Sequence, residues 1–364
     1  MLSSTQRLLA SALCSLLIVG CRPFGESSRA AETSVTPARA HVPDMPWQGA
    51  TVADDFPDYT SDDAGRLYDS LYAAGIRWVA ITPCGFIDST FDTDIGWTAW
   101  SRRDYRAGIR RARAAGLKVF IKPYLWSMDF WTKKRWTGDI RFDDEADRSA
   151  WFRSYTTWLV ECATFARDGG AEAFCVGLEL PHLTPFESEW RAIIDTVRSV
   201  FPGALTYASH GLDEAEAIRF WDALDVVGVN IYPTLSRDDH PTDDDLREGW
   251  GPVTDRLATL SRRTGKRIVL TEAGFRSVER AYDKPWEWPE HRPRPVNNEH
   301  QRLAYASLAT ACYGAPWYGG IFWWKMFTDP TKNNEGRDGF SPQGKPAWLQ
   351  MKADLEPKAQ TNTK

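Results

Sequence analysis

Short apolar runs alternate with amphipathic stretches along most of the chain. The runs are rich in β-branched and aromatic residues, as buried strands are, and the stretches between them repeat apolar residues at helical spacing. Several of these stretches end on a glycine, which is favoured just after a helix. The eight runs that we assign to strands are 48–54, 76–83, 117–126, 171–180, 204–210, 225–233, 267–275 and 319–327.

This order of elements predicts an α/β fold, the (β/α)8 or TIM barrel. Eight strands, each followed by a helix, need about 250 residues, and the chain has 364. We place a single barrel domain at residues 47–352, and a doubly wound open sheet is the alternative. In a barrel the active site forms at the C-terminal ends of the strands, so the last residues of the eight runs are candidates for chemistry.

The segment before residue 47 lacks this pattern. Residues 1–20 combine a positive charge with a short apolar run, as signal peptides do. The sequence IVGC around Cys21 resembles a bacterial lipobox, which implies cleavage before Cys21 and acylation of its thiol. Residues 21–46 are typical of a flexible tether, and residues 353–364 of a polar tail. We therefore expect a lipoprotein anchored in the bacterial cell envelope, on its periplasmic or outer face; a secretory signal is the alternative.

Composition and charge exclude several function classes. The net charge is −5 and no long Lys/Arg run is present, so nucleic acid is not an expected partner. The six His are dispersed without an H-E-x-x-H pair, and no phosphate-binding glycine loop follows a strand. We therefore predict no metal and no cofactor, and we expect a monomer. The 18 Trp exceed the usual need of a core, so some should line a surface groove.

The cysteines suggest no disulfide framework. After Cys21 there remain Cys84, Cys162, Cys175 and Cys312, and they are scattered along the chain. Cys175 lies inside an apolar run, which predicts a buried free thiol. Whether the other three form a disulfide is left open.

Two acidic residues end otherwise apolar runs. Glu179 ends the fourth predicted strand and Glu272 ends the seventh, so a barrel would present both carboxylates at one opening. A single glutamate at a strand end commonly serves a helix cap or a salt bridge. Two facing carboxylates in an aromatic cleft are instead what glycoside hydrolysis requires, because one protonates the leaving oxygen and the other attacks or activates water.

The same residues resemble a known family. Acids at the ends of strands four and seven are the signature of the clan A glycoside hydrolases, which are retaining enzymes. The runs VGLEL, FWDALDVVGVNIYPTL, VLTEAGFRS, GGIFWWKM and SPQGKPAW resemble family 113, whose characterised members are chiefly β-mannanases, and the resemblance covers about residues 47–350. It implies Glu179 as acid/base and Glu272 as nucleophile. Leu178 departs from the pattern, since many clan members have Asn there to bind the sugar 2-hydroxyl.

Other strand-end residues are candidates for substrate binding. Trp324 is placed to form the floor under the sugar in the cleavage subsite, whereas its neighbour Trp323 should point into the core. The Tyr232 hydroxyl could donate to a nucleophile, and His210 and Asn230 could bind sugar hydroxyls or serve as structural polar groups. Lys122 is open between a sugar contact and a salt bridge with an interior acid. Trp126 and Trp131 are candidates for outer subsites.

We therefore expect a membrane-anchored retaining enzyme that binds a polysaccharide or oligosaccharide, with endo-β-1,4-mannanase as the leading hypothesis. A second hypothesis is another β-linked substrate, such as a glucan or an amino-sugar polymer, because Leu178 departs from the clan pattern. A third is a carbohydrate-binding lipoprotein that has lost catalysis, although the presence of both glutamates argues against it.

Overall fold

The computed structural model describes residues 42–53, 57–99, 101–287 and 292–356. Its strands are β1 Trp47–Val52, β2 Trp78–Ile81, β3 Cys84–Phe86, β4 Lys118–Ile121, β5 Tyr124–Trp126, β6 Ala173–Leu178, β7 Ala204–His210, β8 Val227–Asn230, β9 Ile268–Ala273 and β10 Tyr318–Met326. Its α-helices are α1 Asp62–Ala73, α2 Tyr105–Ala114, α3 Met128–Thr132, α4 Glu145–Gly169, α5 Glu187–Val200, α6 Gly211–Ala217, α7 Asp243–Thr264, α8 Asn298–Cys312 and α9 Pro346–Leu355.

Eight of these strands form a closed barrel in the order β1-β10-β9-β8-β7-β6-β4-β2. Each neighbouring pair is parallel, and β1 closes the barrel by pairing with both β2 and β10. This confirms the predicted (β/α)8 barrel and excludes the open sheet. Parallel strands bring all their C-terminal ends to one rim, where the helices and loops that follow them can build a site.

The strand predicted at 117–126 is wrong in one respect, because two strands occupy it. The barrel strand β4 ends at Ile121, and β5 pairs with β3 in a separate two-stranded parallel sheet. Pro83 precedes β3 and Pro123 precedes β5, and proline has no N–H to continue the barrel ladder. We had predicted that Trp126 ends a barrel strand. It ends β5 of the small sheet instead.

Side chains of the strands fill the barrel interior. Trp47 stacks on Trp78 with ring centroids 4.6 Å apart, and Phe120 lies 4.9 Å from Phe322. Cys175 belongs to the same buried cluster and is a free thiol, as predicted. Cys84, Cys162 and Cys312 are also buried and free, which answers the question that the sequence left open.

The helices begin and end where the sequence supplies the appropriate caps. The Asp144 carboxylate accepts backbone hydrogen bonds at the start of α4, and Gly170 ends that helix at φ 86°, a left-handed conformation that favours glycine. Among the described residues, no helix combines the length and the apolar character that a membrane crossing needs.

Trp323 and Trp324 point to opposite sides of β10. Trp323 is 2% exposed and stacks on Tyr305 at 4.2 Å, whereas Trp324 is only partly buried. We expect Trp323→Ala to lower the free energy of unfolding by about 3–5 kcal/mol, because it opens a cavity between barrel and helices.

Denaturant unfolding measures this loss, and Trp131→Ala is the matched control. Trp131 is 74% exposed, so its replacement should change the free energy of unfolding by no more than about 0.5 kcal/mol. Equal losses for the two variants would contradict the packing described for Trp323.

Candidate active site

The two glutamates lie at the rim, as the sequence predicted. Glu272 lies in β9, where it pairs with Asn230 of β8, and Glu179 directly follows β6. Glu179 has a φ of 49°, a left-handed conformation that costs a non-glycine residue about 1–3 kcal/mol. Its backbone N–H donates to Ala208 O of β7 at 2.9 Å. Strain of this kind persists only where the surrounding structure holds it, and it is concentrated at functional sites.

Glu272 is held by two donors. The Lys122 ammonium lies 2.5 Å from Oε1, and the Tyr232 hydroxyl donates to Oε2 at 2.9 Å. Lys122 is 1% exposed and also donates to Thr271 O at 3.2 Å. Of the two possibilities raised for Lys122, the structure therefore has the salt bridge with an interior acid. The predicted run 117–126 placed Lys122 inside a strand. In the structure Lys122 directly follows β4, which ends at Ile121.

These surroundings act on Glu272 in opposite directions. Burial raises the pKa of its carboxyl above the ordinary value, and the Lys122 ammonium opposes that shift. Glu179 adds to the rise, because a second carboxylate nearby disfavours another negative charge. Burial and the Glu272 charge also raise the pKa of Tyr232, so the phenol keeps its proton and remains a donor.

Glu179 is contacted through one of its oxygens. Asn230 Nδ2 donates to Oε1 at 2.9 Å, and His210 Nδ1 lies 3.2 Å from the same atom. Thr271 Oγ1 donates to Asn230 Oδ1 at 2.8 Å, which orients the amide with its N–H groups toward Glu179. The hydrogen bond with Glu179 raises the pKa of His210, because it favours the imidazolium.

These contacts join the two carboxylates in one group. Glu179 is hydrogen-bonded to Asn230, and Asn230 is hydrogen-bonded to Thr271. Thr271 directly precedes Glu272 in the chain. The structure thus brings together five predicted residues from four strand ends: Lys122, Glu179, Asn230, Tyr232 and Glu272. His210 contacts the group at its edge, where its side chain is 55% exposed.

The predicted aromatic residues lie around this group at different depths. The Trp324 ring is 5.3 Å from Lys122 Nζ, so it lies beside the Glu272 pocket. Trp126 packs against Phe86 at 5.9 Å in the small sheet, and Trp131 projects from α3 into solvent. Leu178 is half-buried and packs against the interior cluster, so the residue before Glu179 contributes an apolar side chain.

Sequence reasoning missed three residues around His210 and the backbone after Glu179. The Trp136 ring centroid lies 4.4 Å from that of His210. Glu214 accepts from the His210 backbone N–H and from the Tyr207 hydroxyl, which in turn accepts from the Leu180 N–H. Trp136 is in the same tryptophan-rich loop as Trp131, so the loop composition was a usable signal. No equivalent signal existed for Tyr207, because it lies within an apolar strand run. Among the described residues, no cluster of His, Cys, Asp and Glu is suited to hold a metal.

Comparison with known proteins identifies the family. The model of Glycoside Hydrolase Family 113 matches residues 51–345, which is most of the chain. The chain belongs to glycoside hydrolase family 113. As a member of family 113 it is a glycoside hydrolase. A comparison with curated protein sequences finds no match.

Solved structures of family 113 share the fold. A β-mannanase from Alicyclobacillus acidocaldarius, solved in complex with ManMIm, is 26% identical with a TM-score of 0.74, and the match covers 86% of this chain and 98% of that one. A family 113 β-1,4-mannanase complex is 22% identical with a TM-score of 0.75, and the match covers 86% and 100%. The β-glucuronidase of Ruminococcus gnavus, at 11% identity and a TM-score of 0.59, covers 85% of this chain and 50% of its own, and shares the barrel alone.

The Lys122–Glu272 ion pair generates a prediction about pH dependence. Because the ammonium lowers the pKa of Glu272, Lys122→Met should raise that pKa and move the acid limb of kcat/KM to higher pH. An opposite charge at this distance lowers the pKa of a carboxyl by about 1 to 3. The pH profile of hydrolysis measures the shift.

Lys118→Met is the matched control, because Lys118 begins the same strand at the other end of the barrel and lies over the Trp78 ring. Its acid limb should stay where it is in the unmodified enzyme. An unshifted limb in Lys122→Met would show that the ammonium does not govern the ionisation of Glu272.

Proposed function

We propose that the protein is a retaining endo-β-1,4-mannanase in which Glu272 is the nucleophile and Glu179 the general acid/base. The observation that carries the proposal is the joined pair of rim carboxylates with unlike surroundings. Retaining glycosidases need such a pair, because one carboxylate must attack while the other delivers a proton. The alternatives are another β-linked glycan as substrate, or binding without catalysis.

The surroundings of Glu272 suit a nucleophile. A nucleophilic carboxylate must be ionised when the substrate arrives, and the Lys122 ammonium and the Tyr232 hydroxyl both stabilise the ionised form. Lys122 is buried and Tyr232 is half-buried, so both donors are held in place before the substrate binds. Burial of the carboxylate also strips it of water, which keeps its lone pairs available for attack.

The surroundings of Glu179 suit an acid/base. Its two contacts, from Asn230 and His210, both use Oε1. Among the described residues Oε2 has no protein donor, so it is available to the glycosidic oxygen of a substrate. A group that gives and later takes a proton needs one such oxygen facing the reaction.

The reaction then runs in two displacements. Glu179 donates its proton to the glycosidic oxygen while a Glu272 oxygen attacks the anomeric carbon, so the leaving sugar departs as an alcohol and a glycosyl ester forms on Glu272. Ionised Glu179 next removes a proton from water, and the resulting hydroxide oxygen attacks the anomeric carbon and releases Glu272. Two inversions retain the β configuration, and both carboxyls return to their starting states.

The choice of mannan draws support from the relatives and from the aromatic side chains. Two family 113 structures similar to this chain are described as β-mannanases. Trp324 beside Glu272 offers a flat ring for a pyranose, and the exposed rings of Trp131 and Trp136 extend the aromatic surface as an endo-acting enzyme needs.

Release of reducing sugar from a panel of mannan, glucan and amino-sugar polymers tests the choice, since activity confined to a non-mannan polymer would overturn it.

The two roles predict different behaviour for matched substitutions. Glu272→Gln should lower turnover about 10,000-fold or more on every substrate, because no glycosyl ester can form. Glu179→Gln should lower kcat/KM about 100- to 10,000-fold for a poor leaving group but much less for dinitrophenolate, which departs without a proton. Steady-state kinetics on aryl β-mannobiosides measures both.

Added azide separates the roles further. It should restore turnover of Glu179→Gln and give the β-glycosyl azide, because azide replaces the water that needs a base. Glu172→Gln, at the opposite end of β6, is the control and should keep its activity on both substrates. Rescue at Glu272 instead, or an α-azide from Glu179→Gln, would reverse the assignment.

We also propose that the enzyme is lipid-anchored in the cell envelope through Cys21, which lies outside the described residues. Support comes from the IVGC sequence and the tether-like composition of 21–46. Cys21→Ser should release the protein from membranes on fractionation, whereas Cys14→Ser, inside the predicted signal peptide, should not. Mass spectrometry of the mature N-terminus should find acylated Cys21 first, and an unmodified start elsewhere would overturn the proposal.

A further inference from the structure

A buried carboxylate lies behind Glu179 and is not used in the reaction described above. Glu214, in α6, is 6% exposed and accepts hydrogen bonds at both oxygens. The Tyr207 hydroxyl donates to Oε1 at 2.7 Å, and the His210 backbone N–H donates to Oε2 at 2.5 Å. A buried carboxylate is costly to desolvate, so one that is retained beside an active site needs an explanation.

Its first connection reaches the Glu179 backbone. The N–H of Leu180, the residue after Glu179, donates to the Tyr207 hydroxyl at 2.7 Å. A phenol has one proton, so a Tyr207 oxygen that accepts from Leu180 must direct that proton to Glu214. The peptide that follows Glu179 is thereby fixed, and this is the peptide next to the left-handed φ of 49°.

Its second connection reaches the Glu179 side chain. Glu214 holds the backbone of His210, and the His210 imidazole lies 3.2 Å from Glu179 Oε1. The two connections approach Glu179 from its main chain and from its carboxylate. An acid/base must hold its oxygen within about 0.5 Å of the productive position, which requires groups behind it that do not move.

The charge state of Glu214 fits this arrangement. Both of its partners are donors, so the ionised carboxylate accepts from both, whereas protonation would add an O–H donor to a group whose two partners already donate. Burial raises the pKa of Glu214 to about 7, and the bonds from His210 and Tyr207 oppose the shift. The other ionisable groups around it are Glu179, which raises its pKa, and Asp213 and Arg219, which line the same cavity.

We propose that Glu214 is a positioning residue for the acid/base, and that it holds Glu179 in the orientation for proton transfer through Tyr207–Leu180 and through His210. The proposal rests on the proposed function, in which Glu179 protonates the leaving group. It assigns no contact with substrate to Glu214 or to Tyr207.

The test compares leaving groups, since a misplaced acid affects only those that need a proton. We expect Glu214→Gln and Tyr207→Phe to lower kcat/KM for phenyl β-mannobioside at least about 10-fold more than for the dinitrophenyl analogue. In Glu214→Gln the amide N–H group faces one of the two donors, Tyr207 or His210, and that hydrogen bond is lost. Tyr207→Phe removes the hydroxyl and keeps the ring. The quantity kcat/KM reports the first displacement, in which the leaving group departs.

Tyr155→Phe is the matched control. Tyr155 is buried and its hydroxyl donates to Val176 O at 3.2 Å, on the strand that leads to Glu179, and not to Glu214, Tyr207 or His210. Its kcat/KM should change by the same factor for both substrates. Thermal unfolding checks each variant, and if Glu214→Gln does not fold, Tyr207→Phe decides the question alone.

Glu179→Gln in the same assay separates this proposal from the proposed function. If Glu179→Gln discriminates between the leaving groups and both Glu214→Gln and Tyr207→Phe do not, the positioning role is wrong and the acid/base assignment stands. If Glu179→Gln itself does not discriminate, the acid/base assignment fails and the positioning role fails with it.

Discussion

Closure of the barrel is the constraint on which the site depends. Along the sheet, β6 and β9 are three strand spacings apart, about 14 Å at 4.8 Å each. Closure curves the sheet so that side chains at the two strand ends turn toward a common axis. It is achieved by the parallel pairing of β1 with β10, to which Tyr318 adds a hydrogen bond with Gln48. Glu179 is thus linked by hydrogen bonds through Asn230 to Thr271, the residue before Glu272, although the two glutamates are far apart along the sheet.

Within this rim, burial and neighbouring charges differentiate two residues of the same type. Glu272 is 8% exposed and paired with a buried ammonium, so its negative charge is compensated by a neighbouring ion where little water solvates it. Such a pair is not a source of stability, because desolvation of both ions offsets their attraction. Its consequence is chemical: it keeps an ionised oxygen at a defined point. Glu179 is contacted instead by an amide and an imidazole, both at Oε1, and no ammonium of the described residues pairs with it.

A second layer of polar groups supports Glu179, and it is built from the element that follows the next strand. Tyr207 lies in β7 and Glu214 in α6, so strand and helix together hold the peptide after Glu179. The left-handed conformation at Glu179 follows from this anchoring, since an L-residue does not adopt it without support. The hydrogen-bonded group around Glu179 therefore extends to a buried carboxylate, Glu214, that has no contact with Glu272 among the hydrogen bonds described.

The sequence by itself determined the order of strands and helices, the barrel class and the two rim glutamates, because apolar periodicity and strand-end position are local properties. The family came separately, from the resemblance of whole sequence runs such as VLTEAGFRS. The sequence also placed Trp323 in the core and a Tyr232 donor near Glu272. It did not show that Pro123 divides the run 117–126 into two strands, nor which of two partners Lys122 has. Tertiary structure decided the Lys122 ion pair, the orientation of Asn230 and the Glu214 connections, because each joins residues far apart in sequence whose distance exists only after the barrel has closed.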